Sequence, residues 1–177
     1  MLLYGATDLA SAFRTVRGNT IRAAEEIPDA QLDFAAAPGV RTMRQLLTHI
    51  AMGDEGARVI HQGKLTTLVG LNFPELMGRL GAEEQKPRTK AELLAMLRER
   101  GDEFATWLGS LGEEFLGEHV GMPTGMEPAS KSRFEMLLGV KEHEMHHRGQ
   151  LMLAQRMVGV VPHLTRQMQE RMAAARG

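Results

Sequence analysis

Apolar residues recur at helical spacing in four stretches of this chain, and clusters of Gly and Pro separate them. The first stretch runs from about Thr7 to Ile27, with Leu9, Phe13, Val16, Thr20 and Ile27 on one stripe, and Pro28 ends it. A second helix is expected from about Thr42 to Gly63, turning Met43, Leu46, Leu47, Ile50, Ala57 and Ile60 inward and leaving His49 at the edge of the stripe. From Leu65 to Pro87, Gly70, Pro74, Gly78 and Gly81 break any sustained period, so the segment reads as a long connection carrying one short helical turn. Thr89 is a fitting N-cap for a third helix, about Lys90 to Leu111, which buries Leu93, Leu97, Phe104, Leu108 and Leu111. Gly121, Pro123, Gly125 and Pro128 mark another extended connection between Gly112 and Ala129. Ser130 or Ser132 then opens a fourth helix that reaches about Val158 and stops before Pro162, leaving a tail from His163 with helix-forming residues but a weak stripe.

Each apolar stripe is too narrow for its helix to be stable alone, and the four are best satisfied by packing together. The expected fold is therefore all-α, a four-helix bundle whose two long connections permit a crossover. Composition agrees: aromatic residues make up 5% and Leu, Ala, Met, Glu and Arg are abundant. A chain of 177 residues with 43% hydrophobic content is expected to form one domain, 1–177. Thirteen Met residues fit as gap-fillers of a helical core.

Charge and cysteine content narrow the chemistry. The formal net charge is -1 with both signs interspersed, which offers no field to attract nucleic acid or an acidic membrane. With no Cys, the chain has no disulfide, thiolate nucleophile or thiolate-zinc site, and any thiol chemistry must use an external thiol. Met1–Gly5 lacks a basic region followed by an apolar run, so a cytoplasmic location is expected.

The fourth helix carries the candidate chemistry. Met136, Val140, His143, His147, Leu151, Ala154 and Val158 fall on one stripe, placing two imidazoles on an apolar face. Residues four apart lie one above the other, near enough for both rings to reach one ion, as in the HExxH zinc motif. His49 is the natural third donor, because it alone among the other helical histidines borders an inward stripe; His61, further along the same helix, is rotated away. The alternative is that His143 and His147 are core histidines bonded to backbone or carboxylates. His146 points off the stripe, Gln150 lies on the face of the pair and reads as a buried amide or, alternatively, as a hydrogen-bonding partner of a bound water or substrate, and Glu142, Glu144 and Arg148 read as a solvated face. Gly139 leaves room one turn before His143, and His119 and His163 fall in irregular segments where exposure is expected.

The stretch from Lys141 to Leu151, KEHEMHHRGQL, together with LLTHI from Leu46 to Ile50, resembles the DinB-like (YfiT-like) family of metal-dependent enzymes. The resemblance extends over nearly the whole chain. It implies the DinB four-helix bundle with a crossover, often a homodimer, and places the family's three metal ligands on His49, His143 and His147. The start of the second helix, Val40-Arg-Thr-Met43, departs from the family, where an aromatic residue is frequent.

Three neutral imidazoles would leave a divalent ion with open positions, the arrangement of a catalytic site. Zinc, nickel, manganese and iron all accept imidazole. Three functions are consistent with that. The first is an S-transferase in which the cation favours deprotonation of a low-molecular-weight thiol, bacillithiol-like by resemblance, which attacks an electrophilic small molecule. The second is a hydrolase acting on an amide, ester or strained ring; its general base is not evident, Asp54 and Glu55 being nearest in sequence. The third is a non-catalytic, stress-related protein whose metal only braces the bundle.

Overall fold

The computed structural model describes residues 4–175. Met1–Leu3 of the N-terminal segment read above, and residues 176–177, lie outside the described residues. In chain order the elements are α1 (Ala6–Glu25), α2 (Met43–Ala51), α3 (Glu55–Ala57, continued as a π-helical turn through Gln62), α4 (Phe73–Glu84), α5 (Lys90–Gly109), α6 (Glu113–Gly117), β1 (His119–Gly121), β2 (Ser130–Ser132), α7 (Arg133–Met157) and α8 (His163–Ala174). Local chemistry fixes where the long helices begin. Thr42 and Gln45 form a capping box, as do Thr89 and Glu92, and the Ser132 hydroxyl accepts from the Glu135 N–H at 3.1 Å. No described helix is long and apolar enough to cross a membrane.

The bundle consists of α1, α5, α2 and α7. Helix α1 packs on α5 and α7, and α2 packs on the same two helices, so the order around the bundle is α1–α5–α2–α7. The consecutive helices α1 and α2 therefore occupy opposite corners, which is the crossover that the long connections permit. Two apolar clusters fill the interior. One joins Ala23, Ala24 and Ile27 to Met43, Leu46, Leu47, Leu93, Leu97, Leu151 and Ala154; the other joins Leu9 and Phe13 to Phe104, Leu108, Leu137 and Val140.

A buried polar layer lies between those clusters. Arg17 donates from Nε to both carboxylate oxygens of Glu144 at 3.0 and 3.1 Å, from Nη1 to the Leu97 carbonyl at 2.8 Å and from Nη2 to the Ile50 carbonyl at 3.3 Å. One guanidinium thus ties together all four bundle helices. Gly101 makes room for it, since a Cβ there would lie 2.8 Å from Arg17 Cγ.

Four expectations change. The second helix does not run unbroken to Gly63: it stops at Ala51, turns through Met52–Asp54 and resumes as α3. The break is stabilised by Arg100, which donates to the Ala51 carbonyl at 3.1 Å and pairs with buried Asp54 at 2.9 Å. The segment from Leu65 to Pro87 contains a full helix, α4, opened by an Asn72 cap and Pro74 in its first turn. A short helix and a two-stranded antiparallel hairpin occupy the connection after Gly112, pairing His119 with Ser132 and Gly121 with Ser130. Finally, α7 is rotated from its expected face. Glu144 is buried rather than solvated, so the inward stripe runs through Leu137, Val140, Glu144, Leu151, Ala154 and Gln155, and His143 and His147 lie at its edge.

Removing one partner of a buried ion pair strands the other charge. Arg17→Met is expected to lower the unfolding free energy by ~3–5 kcal/mol, measured by urea denaturation. A second buried group gives a pH dependence. His61 is 1% exposed and its Nδ1 accepts from Arg133 Nη1 at 3.2 Å. Burial, reinforced by the Arg133 charge, lowers its pKa from 6.5 to about 4. The unfolded chain therefore binds this proton more readily, so the stability contribution is full above about pH 6.5 and is lost as pH falls toward about 4. His61→Gln should make denaturation midpoints less dependent on pH across that interval; an unchanged dependence would assign the acid sensitivity elsewhere.

Candidate metal centre

Helix α2 presents His49 from its last turn, and α7 presents His143 and His147 from successive turns. All three are half-buried, and their rings converge: His49 Nε2 lies 3.0 Å from His143 Nε2 and 3.1 Å from His147 Nε2. Gly53 permits this approach, because a Cβ at that position would meet His143 Nδ1 at 2.9 Å.

The outer partners of two rings, His49 and His147, fix which of their nitrogens carry protons. His49 Nδ1 lies 2.8 Å from Glu84 Oε1, a carboxylate that can only accept, so the proton is on Nδ1 and Nε2 presents a lone pair. His147 Nδ1 likewise donates to Gln150 Oε1 at 2.9 Å, and the Gln150 amide nitrogen donates to His146 Nε2 at 3.1 Å. Two lone pairs therefore face one another across 3.1 Å, an arrangement that a cation between the rings would relieve. The spacing suits one. Nitrogens bonded at about 2.0–2.1 Å to a tetrahedral ion lie about 3.3 Å apart.

Electrostatics keep the donors unprotonated. Burial, reinforced by neighbouring His147 and His49, lowers His143 to about 4. His49 and His147 are also lowered by burial, which outweighs the bonds to Glu84 and Gln150 that favour their charged forms. Burial pushes the Glu84 carboxyl up, but hydrogen bonds from Arg41 and His49 outweigh it and hold the group below its usual range. Arg41 grips Glu84 with two bonds, from Nε at 2.6 Å and Nη2 at 3.2 Å. Of the sequence-predicted donors His49, His143 and His147, the first is held by an orienting chain, Arg41–Glu84–His49, of the kind that fixes metal-ligating imidazoles, and His143 Nδ1 is buried without a hydrogen-bond partner.

Two cavities flank the cluster. The larger, about 780 Å³, is lined by Arg41, Gln45, Glu84, His147 and Gln150 with apolar Val40, Met43, Leu46 and Leu153. The smaller, about 150 Å³, lies against His49, His143, Met77 and Leu80. Helix α4 supplies Glu84 to both.

Several side chains stand elsewhere than the sequence suggests. Gln150 is exposed and bonds to two histidines rather than being a buried amide. His163 is buried at 1% exposure, with Nε2 3.4 Å from Asn19 Oδ1, because the tail folds back as α8 against α1. His146, exposed and outside the cluster, and His119, exposed and bonded to Ser130, stand where the sequence suggests. Asp54 and Glu55 do not reach the cluster; both pair with Arg100. The carboxylate that does is Glu84, which the loop reading of its segment concealed. Asn72, Pro74 and Glu75 were the available signal, being a helix cap, a first-turn proline and a first-turn acid.

A crossed four-helix bundle holding three convergent imidazoles defines a histidine-centred helical protein. The chain belongs to the DinB superfamily, whose family model matches residues 12–151. Among solved structures it is similar to YfiT from Bacillus subtilis, described as a probable metal-dependent hydrolase with an unusual four-helix bundle topology. That match has 19% identity and a TM-score of 0.66 and covers 88% of each chain. It is also similar to YjoA, a DinB-like protein from Bacillus subtilis, with 22% identity and a TM-score of 0.62 over 85% of this chain and 91% of that one. No curated protein matches the sequence.

If the three imidazoles act as one donor set, removing any of them should be far more damaging than removing the exposed neighbour. His143→Ala is expected to abolish tight zinc binding in a chelator competition assay while His146→Ala retains it. Glu84→Gln, which weakens the grip on His49, should reduce zinc affinity by about 10–100-fold. Equal affinity in His143→Ala and His146→Ala would dismiss the donor assignment.

Proposed function

We propose that this chain is a metal-dependent enzyme that joins a low-molecular-weight thiol to an electrophilic small molecule. The observation that carries the reading is a three-nitrogen donor set between two cavities, His147 lining the larger and His49 and His143 the smaller, whose one shared carboxylate, Glu84, is already engaged. Among the described residues, only His49, His143 and His147 cluster as donors, one short of a closed tetrahedral site. A divalent ion held there supplies Lewis acidity and favours the deprotonated form of a thiol that reaches it.

The chain's own groups then have separate tasks. Glu84 and Gln150 hold the His49 and His147 rings in the orientation that points Nε2 inward. The larger cavity, about 780 Å³, has space for small reactants beside apolar Val40, Leu46 and Leu153. The thiol proton leaves to solvent, the sulfur forms a bond to the electrophilic carbon, and the displaced group departs with its electron pair. The absence of Cys from the chain is consistent with a thiol supplied from outside.

Hydrolysis is the second reading, favoured by the description of YfiT as a probable metal-dependent hydrolase. It asks for a residue that takes a proton from water. Glu84 is the one carboxylate lining either cavity among the described residues, and both its oxygens accept bonds from Arg41 or His49. Its depressed pKa also makes it a weak base. Thiol transfer, whose nucleophile deprotonates readily, fits the site better.

The test is turnover by metal-reconstituted protein of an activated aryl halide and an epoxide with a panel of small thiols, against ester and amide substrates without thiol. Thiol-dependent product that disappears in His147→Ala is the expected result; metal-dependent hydrolysis without thiol would favour the second reading.

A further inference from the structure

The donor set at this site brings no negative charge. His49, His143 and His147 are neutral, and Glu84 is offset by Arg41 at 2.6 Å. A divalent ion held by these groups would keep its full charge to be balanced by whatever enters the cavity, so the site calls for an anion.

A second anion-binding group lies in the same wall. Arg41 donates to Glu84 through Nε and Nη2, and among the described residues its Nη1 has no hydrogen-bond partner. Its side chain is 42% exposed and lines the larger cavity with His147 and Gln150. The grip of Glu84 holds the guanidinium in place, so little rotamer freedom remains to be lost when a ligand arrives. The rest of the cavity is apolar or amide, with Gln45 and Gln85 as neutral polar groups and no other charged side chain among its lining.

We propose that Arg41 is a specificity-determining anion anchor, and that the cavity selects a thiol carrying a carboxylate, with the sulfur toward His147 and the carboxylate on the outer edge of the guanidinium. This deepens, and rests on, the thiol-binding reading of the site. The apolar wall of Val40, Leu46 and Leu153 is then left for the body of the electrophile.

The probes are 3-mercaptopropionate and 3-mercaptopropionamide, which are nearly identical in shape and differ in charge, titrated into cobalt-loaded protein and followed by the visible cobalt spectrum. The wild-type chain is expected to bind the acid about tenfold or more tighter than the amide, the size of one charge-assisted contact. Arg41→Met should bring the two affinities together by weakening the acid alone, and Arg41→Lys should retain part of the preference. A purely structural role for Arg41 would weaken both thiols equally, and that result overturns the proposal. Equal binding of acid and amide by the wild type overturns the anchor but leaves thiol binding standing. A cobalt spectrum that neither thiol changes overturns both.

Discussion

Nitrogen lone pairs repel at short range, and this protein holds those of His49 and His147 almost in contact, with His143 beside them. His49 Nε2 lies 3.0 and 3.1 Å from its two partners, with Nδ1 protons of two rings already committed to Glu84 and Gln150. A flexible pair of helices would relax such an arrangement by drifting apart. Rigidity comes from the opposite side of the same helices. The Arg17 guanidinium bonds to the Ile50 carbonyl, next in sequence to His49, and to Glu144, next in sequence to His143. The site and the buried ion pair are therefore two faces of one cross-section of the bundle.

That cross-section explains the division of the core. Apolar clusters fill the bundle on either side of it, and the polar layer between them would be costly if any member lacked a partner. Arg17 makes four hydrogen bonds and leans on Phe13, its guanidinium carbon 5.1 Å from the ring centre. A fully bonded charge pair of this kind contributes less to stability than well-packed apolar residues would, but it fixes the rotation of α7 and hence the direction in which His143 and His147 point.

The four bundle helices and the pair His143 and His147 are legible from periodicity and spacing, because both features are local, a stripe every 3.6 residues and two rings one turn apart, whereas His49 follows only from its place at the edge of a second stripe and from the family resemblance. What escaped was set by distant partners. Glu144 looks like a surface acid until Arg17, remote in sequence, is placed beside it. Glu84 falls in a segment whose glycines mask a helix that survives by packing on α2. The break after Ala51 depends on Arg100, which no local pattern announces. The tail has a weak apolar stripe that leaves His163 looking exposed, yet Val161 and Pro162 turn the chain so that His163 is buried at the start of α8. The order of helices around the bundle is likewise a property of long-range contacts.

The most direct measurement is X-ray absorption spectroscopy at the metal edge of protein reconstituted with zinc, combined with elemental analysis of the same sample. One ion per chain is expected, with scattering from three imidazoles at about 2.0 Å and room for a further light or sulfur ligand. A chain that retains no ion after reconstitution, or an ion whose spectrum lacks imidazole scattering, would make the three histidines ordinary polar residues of the bundle and contradict the central claim.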